Sequence, residues 1–264
     1  MNILFIGDIV GSRAVSFIED ILAELKESLR VDLVIANAEN VAGGLGLTPN
    51  YASRLYAAGI DVLTMGNHTW SKRDVVDVLR SDALIARPAN GHPNWPGKGF
   101  AITHTNDTTI GVINLLGQYG LNPPTSPFIM IKPLLAELRE LYPDIVFIVD
   151  MHAEATAEKL AMAAFLDGEV AALLGTHTHV QTADEAITDL GMAYITDVGM
   201  TGPRDSIIGM SKQSSLRRFV DCLPTRYELA SGPCDLNAVY FELDEFGKAL
   251  AIERIHIEED DESI

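Results

Sequence analysis

The sequence predicts an α/β fold in which two sheets pack face to face and helices cover their outer faces. Two observations support this prediction. Short apolar runs alternate with helical patterns through the first two-thirds of the chain, which is typical of parallel strands with helices packed outside. In addition, two pairs of apolar runs, at residues 99–115 and 237–257, have the pattern of antiparallel hairpins.

The repeating units follow one another along the chain. Each has a short apolar run, a group of polar residues and then a helical pattern; in the first helix, Val15, Ile18 and Leu22 recur at three- and four-residue spacing. The predicted strands of these units lie at residues 3–6, 33–36, 60–65, 145–149 and 170–174, and the predicted helices at 12–29, 51–58, 72–80 and 155–166. No linker divides the chain, so we expect a single domain over residues 1–264 with an acidic, solvated tail at about 258–264.

Composition narrows the range of functions. Hydrophobic residues make up 47% of the 264 residues, which is enough to bury a core on both faces of a sheet. The net charge of −18 disfavours a groove for a long nucleic acid, since such grooves neutralise phosphates with Lys and Arg. A small phosphorylated substrate is compatible with this charge if metal cations reverse the local potential.

The expected setting is the cytoplasm. Two cysteines, Cys222 and Cys234, do not make a disulfide framework, and this indicates a reducing compartment. The N-terminal apolar run is interrupted by Gly7 and Asp8 before it reaches the length of a signal peptide, and no segment is apolar enough to span a bilayer. Homo-oligomerisation is left open by the sequence.

Polar residues follow the predicted strands, at the point where each strand ends. The C-terminal ends of parallel strands share one edge of a sheet, so these side chains should converge. Any one of them alone is more simply explained as a turn former, a helix cap or a core histidine; their recurrence at successive strand ends favours a shared site. Carboxylate, carboxamide and imidazole donors suit divalent Mn, Fe or Zn. The residues are Asp8, Glu39, Asn40, Asn67, His68, His152, His177 and His179.

Four blocks of sequence resemble the calcineurin-like metallophosphoesterase signature. They are Ile6-Gly7-Asp8, Gly66-Asn67-His68, His152 and Gly175-Thr176-His177-Thr178-His179, in that order. More narrowly, the segments at 37–40, 43–46, 66–70 and 197–202 resemble the YmdB-like subfamily of bacterial 2′,3′-cyclic-nucleotide 2′-phosphodiesterases, and the resemblance extends over the whole chain. It implies a two-sheet αββα sandwich of the metallophosphoesterase type.

The resemblance also implies a ligand set for two divalent metal ions, with Fe or Mn as the first choice and Zn or Mg as alternatives. One metal is assigned to Asp8, Glu39, Asn40 and His179, and the other to Glu39, Asn67, His152 and His177, so that Glu39 bridges them. The chain departs from the wider superfamily in two places. Val10 stands where a histidine is usual, and Glu39 replaces the bridging aspartate. The resemblance implies that Asn40 makes up for the missing imidazole.

The implied reaction is hydrolysis of a small cyclic phosphodiester, with a 2′,3′-cyclic nucleotide giving a 3′-nucleotide. Coordination lowers the pKa of a bound water toward about 7, so a hydroxide nucleophile is available without a separate base. We expect His68, adjacent to Asn67, to protonate the leaving oxygen; the alternative is that it only orients a ligand.

Three other functions compete with this one. The first is a phosphomonoesterase that uses the same metals. The second is an amidohydrolase, which is disfavoured because its His-x-His pair usually follows the first strand, whereas here the pair is late in the chain. The third is a metal- or nucleotide-sensing interaction protein, which is disfavoured because the full ligand set and His68 are present.

Overall fold

The computed structural model describes residues 1–81 and 83–260. Strands and helices alternate along most of this length. The strands are β1 (Asn2–Ile6), β2 (Asp8–Ile9), β3 (Leu33–Asn37), β4 (Val62–Thr64), β5 (Ile85–Ala86), β6 (Phe100–Thr105), β7 (Thr108–Leu116), β8 (Val146–His152), β9 (Ala172–Thr176), β10 (Ala186–Ile187), β11 (Ala193–Ile195), β12 (Met200–Pro203), β13 (Cys234–Leu243) and β14 (Ala249–Glu258). The helices are α1 (Gly11–Leu29), α2 (Pro49–Ala57), α3 (Val75–Arg80), α4 (Pro127–Leu141), α5 (Thr156–Leu166) and α6 (Lys212–Asp221).

Two mixed sheets form the centre of the fold. The first has the strand order β2-β12-β13-β1-β3-β4-β5, with β14 paired to β13, and its strands β1, β3, β4 and β5 run parallel. The second has the order β10-β11-β9-β8-β7-β6, in which β11, β9, β8 and β7 run parallel. The parallel strands of both sheets carry the helical crossovers, and the antiparallel β6–β7 and β13–β14 pairs are the hairpins predicted from the sequence.

Three apolar layers hold these elements together. The strands are buried on both faces, so successive residues enter different layers: Ile3 and Phe5 of β1 face the layer between the sheets, whereas Leu4 and Ile6 pack under α1. On the second sheet, Ile148 faces the layer between the sheets and Phe147 faces the layer beneath α4 and α5. Helices therefore cover both outer faces, and the predicted αββα sandwich is confirmed.

Helix α1 shows how local sequence sets an element. Val15, Ile18 and Leu22 are fully buried along one side of it, as their spacing predicts. The helix ends at Arg30, which adopts a left-handed conformation with φ 52° and donates its N–H to the carbonyl oxygen of Glu27.

Two helices were not predicted from the sequence. Helix α4 has Pro127 in its first turn, where a missing N–H costs little, and a second proline, Pro133, inside it. Helix α6 buries Ser214 and Ser215 and leaves Leu216, Phe219 and Val220 exposed, so its apolar residues do not mark its packed face.

The sequence predicted a solvated acidic tail, but the start of this tail makes contacts with the rest of the fold. Strand β14 continues to Glu258, and the Glu259 side chain accepts a hydrogen bond from the backbone N–H of Cys234 at 2.8 Å and pairs with Arg13. Residues 261–264 of the predicted tail lie outside the described residues. Within the described part of the chain, no helix has both the length and the apolar character needed to cross a membrane.

Candidate metal centre

The polar residues singled out in the sequence follow the ends of strands on both sheets. Asp8 begins β2 immediately after β1, His152 is the last residue of β8, and the others lie within a few residues of the end of β3, β4 or β9. Asp8, Glu39, Asn40 and His152 are buried, whereas Asn67, His68, His177 and His179 are half-buried.

The ring of His152 is the point on which three of these side chains converge. Its Nε2 lies 2.9 Å from Asn67 Oδ1, 3.1 Å from Glu39 Oε1 and 3.1 Å from His177 Nδ1. One ligand atom each from Glu39, His152 and His177 lies within 4.8 Å of the others, so these three groups could hold a metal ion. Together with Asn67, they are the residues assigned to one metal in the sequence analysis.

A chain of hydrogen bonds behind His152 sets the tautomer of its ring. The Thr176 hydroxyl donates its proton to Asp150 Oδ1 at 2.6 Å, so it must accept the 2.8 Å hydrogen bond from His152 Nδ1. Asp150 is buried and also accepts hydrogen bonds from Asn37 Nδ2 at 3.0 Å and Thr64 Oγ1 at 2.5 Å. Because Nδ1 carries a proton, Nε2 is the atom presented to the cluster.

The contacts of His152 Nε2 with two oxygen atoms require positive charge between them, since a nitrogen lone pair would repel both. A proton meets this requirement: burial alone would lower the pKa of His152, but Glu39 and the other nearby carboxylates raise it to about 9. Burial likewise disfavours ionised Glu39, yet the charge and hydrogen bond of His152 hold its pKa at about 2. A divalent cation would meet the same requirement, with more charge.

His177 is held from two sides. Its backbone N–H donates to Asp8 Oδ2 at 3.0 Å, and its Nε2 lies 3.2 Å from Glu154 Oε2, which leaves Nδ1 facing His152. Burial and the neighbouring charge of His152 lower the pKa of His177 to about 3, so its ring is neutral. A neutral ring with one nitrogen engaged by a carboxylate is the form in which imidazole binds metal ions.

The other predicted group, Asp8, Asn40 and His179, has lone pairs without protein partners. Among the described residues, Asp8 Oδ1 and Asn40 Oδ1 are buried and accept no hydrogen bond, although Asn40 Nδ2 donates to the carbonyl of Gly44 at 2.9 Å. His179 Nδ1 lies 3.0 Å from the carbonyl oxygen of Ile208 and must donate to it, which leaves Nε2 as an acceptor. Burial raises the pKa of Asp8 to about 6 against the opposing charge of His179. A cation would satisfy these acceptors.

The segment that carries His177 and His179 is strained. The backbone has a positive φ at both histidines, 100° at His177 and 66° at His179. Such values are costly for residues other than glycine and persist where surrounding contacts enforce them. Here the contacts include Asp197 Oδ2, which accepts hydrogen bonds from the Thr178 N–H at 3.0 Å and its hydroxyl at 2.8 Å.

Asp197 is itself held by a buried ion pair. Lys159 Nζ of α5 lies 2.7 Å from Asp197 Oδ2, and both side chains are almost fully excluded from solvent. The sequence analysis missed Asp150, Glu154, Lys159 and Asp197. A charged residue at the end of an apolar strand was the available signal for Asp150, whereas nothing local marks the helical Lys159 as buried.

His68 stands apart from the cluster contacts. Its backbone N–H donates to Glu39 Oε2 at 2.8 Å, but its imidazole has no hydrogen-bond partner within residues 1–81 and 83–260. Burial lowers the pKa of His68, with the charge of Glu39 opposing the shift. Its ring lines the same cleft as the cluster.

The cleft has a volume of about 450 Å³, and its lining residues fall into two chemically different groups, which we name the polar end and the aromatic end. The polar end is formed by Glu39, Asn40, His68, Glu154, His177 and His179. The aromatic end is formed by Leu45, Ile208, Met210, Ser215, Phe219 and Tyr227. The cleft is large enough for a small ligand whose charged part meets the polar end.

Comparison with known proteins identifies relatives along nearly the whole chain. The model of a family described as "YmdB-like protein" matches residues 4–255. The chain is 44% identical over 261 residues to the 2′,3′-cyclic-nucleotide 2′-phosphodiesterase of Bacillus subtilis, covering 98% of each chain.

Two crystal structures have the same fold throughout. A hypothetical protein from Thermus thermophilus superposes with a TM-score of 0.92 at 37% identity, covering 98% of this chain and 100% of that one. A phosphatase from Mycoplasma pneumoniae superposes with a TM-score of 0.91 at 39% identity, covering 99% and 95%. The family resemblance inferred from the strand-end motifs is therefore confirmed.

Proposed function

We propose a function from the premise that this chain belongs to the YmdB-like protein family: it is a metal-dependent phosphodiesterase that hydrolyses 2′,3′-cyclic nucleotides to 3′-nucleotides. The observation that carries the proposal is the convergence of Glu39, Asn67 and His177 within 3.1 Å of His152 Nε2. The activity of the Bacillus subtilis relative, which is 44% identical, supports the choice of substrate.

The proposed cofactor is a pair of divalent cations, Fe or Mn first and Zn or Mg as alternatives. We assign one to Asp8, Glu39, Asn40 and His179, and the other to Glu39, Asn67, His152 and His177. Asp8 Oδ1 and Asn40 Oδ1 are buried and accept no hydrogen bond from the described residues, which supports the first assignment, because leaving such an oxygen unsatisfied costs about 1–3 kcal/mol. Oxygen and imidazole donors without thiolate suit these metals.

When bound, the cations would supply positive charge to the phosphoryl oxygens and lower the pKa of a water molecule at the site. The protein's own contribution is to hold the donors in place. Thr176 and Asp150 orient His152, Glu154 orients His177, and Lys159 with Asp197 supports the loop between the two late histidines. Preorganised donors of this kind do not have to rearrange during the reaction.

His68 is the proposed general acid. The attacking water gives up a proton to solvent as its oxygen bonds to phosphorus and the bond from phosphorus to O2′ breaks. The departing O2′ takes a proton from the His68 imidazolium, which solvent then protonates again. Three features support this role: the ring lines the cleft, has no protein hydrogen-bond partner among the described residues, and has a pKa lowered by burial. A lower pKa makes the imidazolium a stronger acid, although less of it is protonated at neutral pH.

The proposed setting is the cytoplasm, with a small nucleotide as the partner molecule. Both cysteines are free, Cys222 at the surface and Cys234 buried, as expected for a protein of a reducing compartment. The net charge of −18 disfavours a long nucleic acid as substrate.

A phosphomonoesterase is the second candidate function. The support for it is that the Mycoplasma pneumoniae structure, 39% identical to this chain, is described as a phosphatase. The same cations would bind a monoester, so the geometry of the metal centre does not separate the two activities.

Product analysis distinguishes these functions. Purified protein with Mn²⁺ or Fe²⁺ is incubated with adenosine 2′,3′-cyclic phosphate, and in parallel with 3′-AMP, and the products are separated by chromatography. The proposal predicts conversion of the cyclic substrate to 3′-AMP, no release of inorganic phosphate, and loss of turnover with EDTA. Release of phosphate from 3′-AMP with no action on the cyclic substrate would establish the phosphomonoesterase. No turnover of either by metal-loaded protein would favour a sensing protein.

A further inference from the structure

The aromatic end of the cleft has features that the metal chemistry does not require. Phe219 of α6 is 68% exposed and Tyr227 is 42% exposed, although both are aromatic and both line the cleft. Exposure of large apolar side chains beside a polar site is a mark of ligand-binding surfaces.

Another residue that lines the cleft carries a buried hydroxyl group. Ser215, one turn before Phe219 in α6, is 1% exposed and lines the cleft, yet its Oγ has no hydrogen-bond partner among the described residues. Ser214, its neighbour, donates its own hydroxyl to the Ser211 carbonyl and receives a hydrogen bond from Ser211 Oγ. An unsatisfied hydroxyl that lines a cleft indicates a polar ligand group there, as the unpartnered Asn40 Oδ1 does at the polar end.

The position of Tyr227 limits how a planar ligand could bind. The Arg218 guanidinium lies over one face of the Tyr227 ring, 5.0 Å from its centroid. That contact restrains the ring and leaves only the opposite face for stacking. Leu45, Ile208 and Met210 add apolar surface, so the aromatic end offers a hydrophobic environment with two hydroxyl groups, those of Ser215 and Tyr227.

We propose that the aromatic end is a nucleobase subsite, in which a base stacks against Phe219 and Tyr227 and Ser215 Oγ hydrogen-bonds the base or its ribose. The inference rests on the proposed function, because the phosphodiester has to sit at the polar end for its base to reach these rings. Stacking accepts any base, since every base has a π face. The subsite therefore recognises that a base is present and discriminates weakly among the four.

Two substrates that differ only in the base test this inference. Adenosine 2′,3′-cyclic phosphate is compared with 1-O-methylribose 2′,3′-cyclic phosphate, which keeps the ring phosphodiester and lacks the base. For Phe219→Ala and Tyr227→Ala we expect KM for the nucleotide to rise by about 5- to 150-fold, the range measured for loss of one base–aromatic stack. KM for the base-free substrate should stay unchanged, as should kcat for both.

Val220→Ala is the matched control, because Val220 is the next residue of α6, is 74% exposed and is not among the cleft-lining residues. It should leave both substrates unaffected. Equal losses on the two substrates for Phe219→Ala would overturn the subsite and make α6 a structural support. An unchanged KM for the nucleotide would overturn it too. So would a Phe219→Ala protein whose oligomeric state changes in sedimentation while its KM does not, because this face would then be a contact between copies of the chain.

Failure of the proposed function remains distinguishable from failure of the subsite. Hydrolysis of the base-free substrate by wild-type protein upholds the phosphodiesterase whatever happens at Phe219. If wild-type protein hydrolyses neither substrate, the proposed function fails and calorimetry decides the subsite. The subsite then requires wild-type protein to bind the cyclic nucleotide more tightly than the base-free substrate, and Phe219→Ala to remove that difference in affinity. Equal affinities of wild-type protein for the two compounds would overturn the subsite.

Discussion

The two ends of the cleft are built by different parts of the fold. The polar end is assembled from strand ends, and its side chains are fixed by buried groups such as Asp150 and the Lys159–Asp197 pair. The aromatic residues of the aromatic end come from α6 and the irregular segment after it, where Phe219 and Tyr227 are partly exposed to solvent. The difference indicates that the core preorganises the side chains of the proposed metal centre, whereas the proposed nucleobase subsite lies on a more exposed surface.

The largest effect should come from Glu39, the residue assigned to both cations. Glu39 contacts His152 through one carboxylate oxygen and the His68 N–H through the other. In Glu39→Ala we expect both cations to be lost and turnover to fall by about 10⁴-fold or more, because metal catalysis supplies several kcal/mol of barrier lowering. The measurement is metal content and kcat in the same preparation.

Glu24→Ala is the control for that substitution, since Glu24 is exposed on α1, far along the chain from any strand end. Its metal content and kcat should match the wild type. If Glu39→Ala kept two metals, Glu39 would not be the bridging residue.

His68→Ala should have the next largest effect. With both metals retained, kcat for the cyclic nucleotide should fall by about 10²–10⁴-fold, as expected for loss of a general acid. The loss should shrink for a p-nitrophenyl phosphodiester, whose leaving group departs without a proton. The Asn67→Ala protein should instead lose metal, and its activity should fall equally on both substrates.

Equal losses on the two substrates for His68→Ala, with metals retained, would remove the general-acid role. His68 would then be a residue that positions a ligand or the substrate.

A smaller effect should follow when the support of His152 is removed. Thr176→Val deletes the hydroxyl between Asp150 and His152 Nδ1, and the ring then loses its orienting acceptor. Metal affinity should fall by about 10–100-fold, as for other groups that orient ligands. Thr109→Val, at an exposed threonine hydroxyl beside His104, is the control for losing a threonine hydroxyl elsewhere.

Metal titration followed by calorimetry gives the affinity of each Thr176 and Thr109 variant. Wild-type affinity in a folded Thr176→Val protein would show that the Asp150 hydrogen-bond chain does not govern the His152 ligand.

The smallest effect should be on stability next to the aromatic end. Leu223, just beyond α6, is 56% exposed, so Leu223→Ala should change the free energy of unfolding by no more than about 0.5 kcal/mol. The same substitution at Leu174 in β9, which is fully buried, should cost about 2–5 kcal/mol. Denaturant unfolding of both variants compares them; similar losses of unfolding free energy would mean that the segment after α6 is packed as tightly as β9.

The same contrast explains what could be predicted from the sequence. The grouping of Asp8, Glu39, Asn67, His152 and His177 follows from one rule, that parallel strands end at one edge, and the apolar runs mark those strands locally. Each of these residues closely follows or ends a recognisable strand. Their convergence therefore needed no knowledge of side-chain packing.

The residues that were missed depend on tertiary contacts. Lys159 lies on a helix and looks like an ordinary surface lysine until Asp197, 38 positions later, is placed against it. Helix α6 turns Ser214 and Ser215 inward and Phe219 outward, the reverse of the usual pattern, so its apolar spacing could not indicate its packing. Positive φ at His177 and His179 is likewise imposed by neighbours such as Asp197 rather than by the residues themselves.

Anomalous scattering from crystals of the metal-loaded protein, recorded at the Mn and Fe absorption edges, tests the dinuclear centre most directly. We expect two peaks, one contacting Asp8, Asn40 and His179 and one contacting Asn67, His152 and His177, with the Glu39 carboxylate between them. A single peak, or peaks that do not contact Glu39, would contradict it.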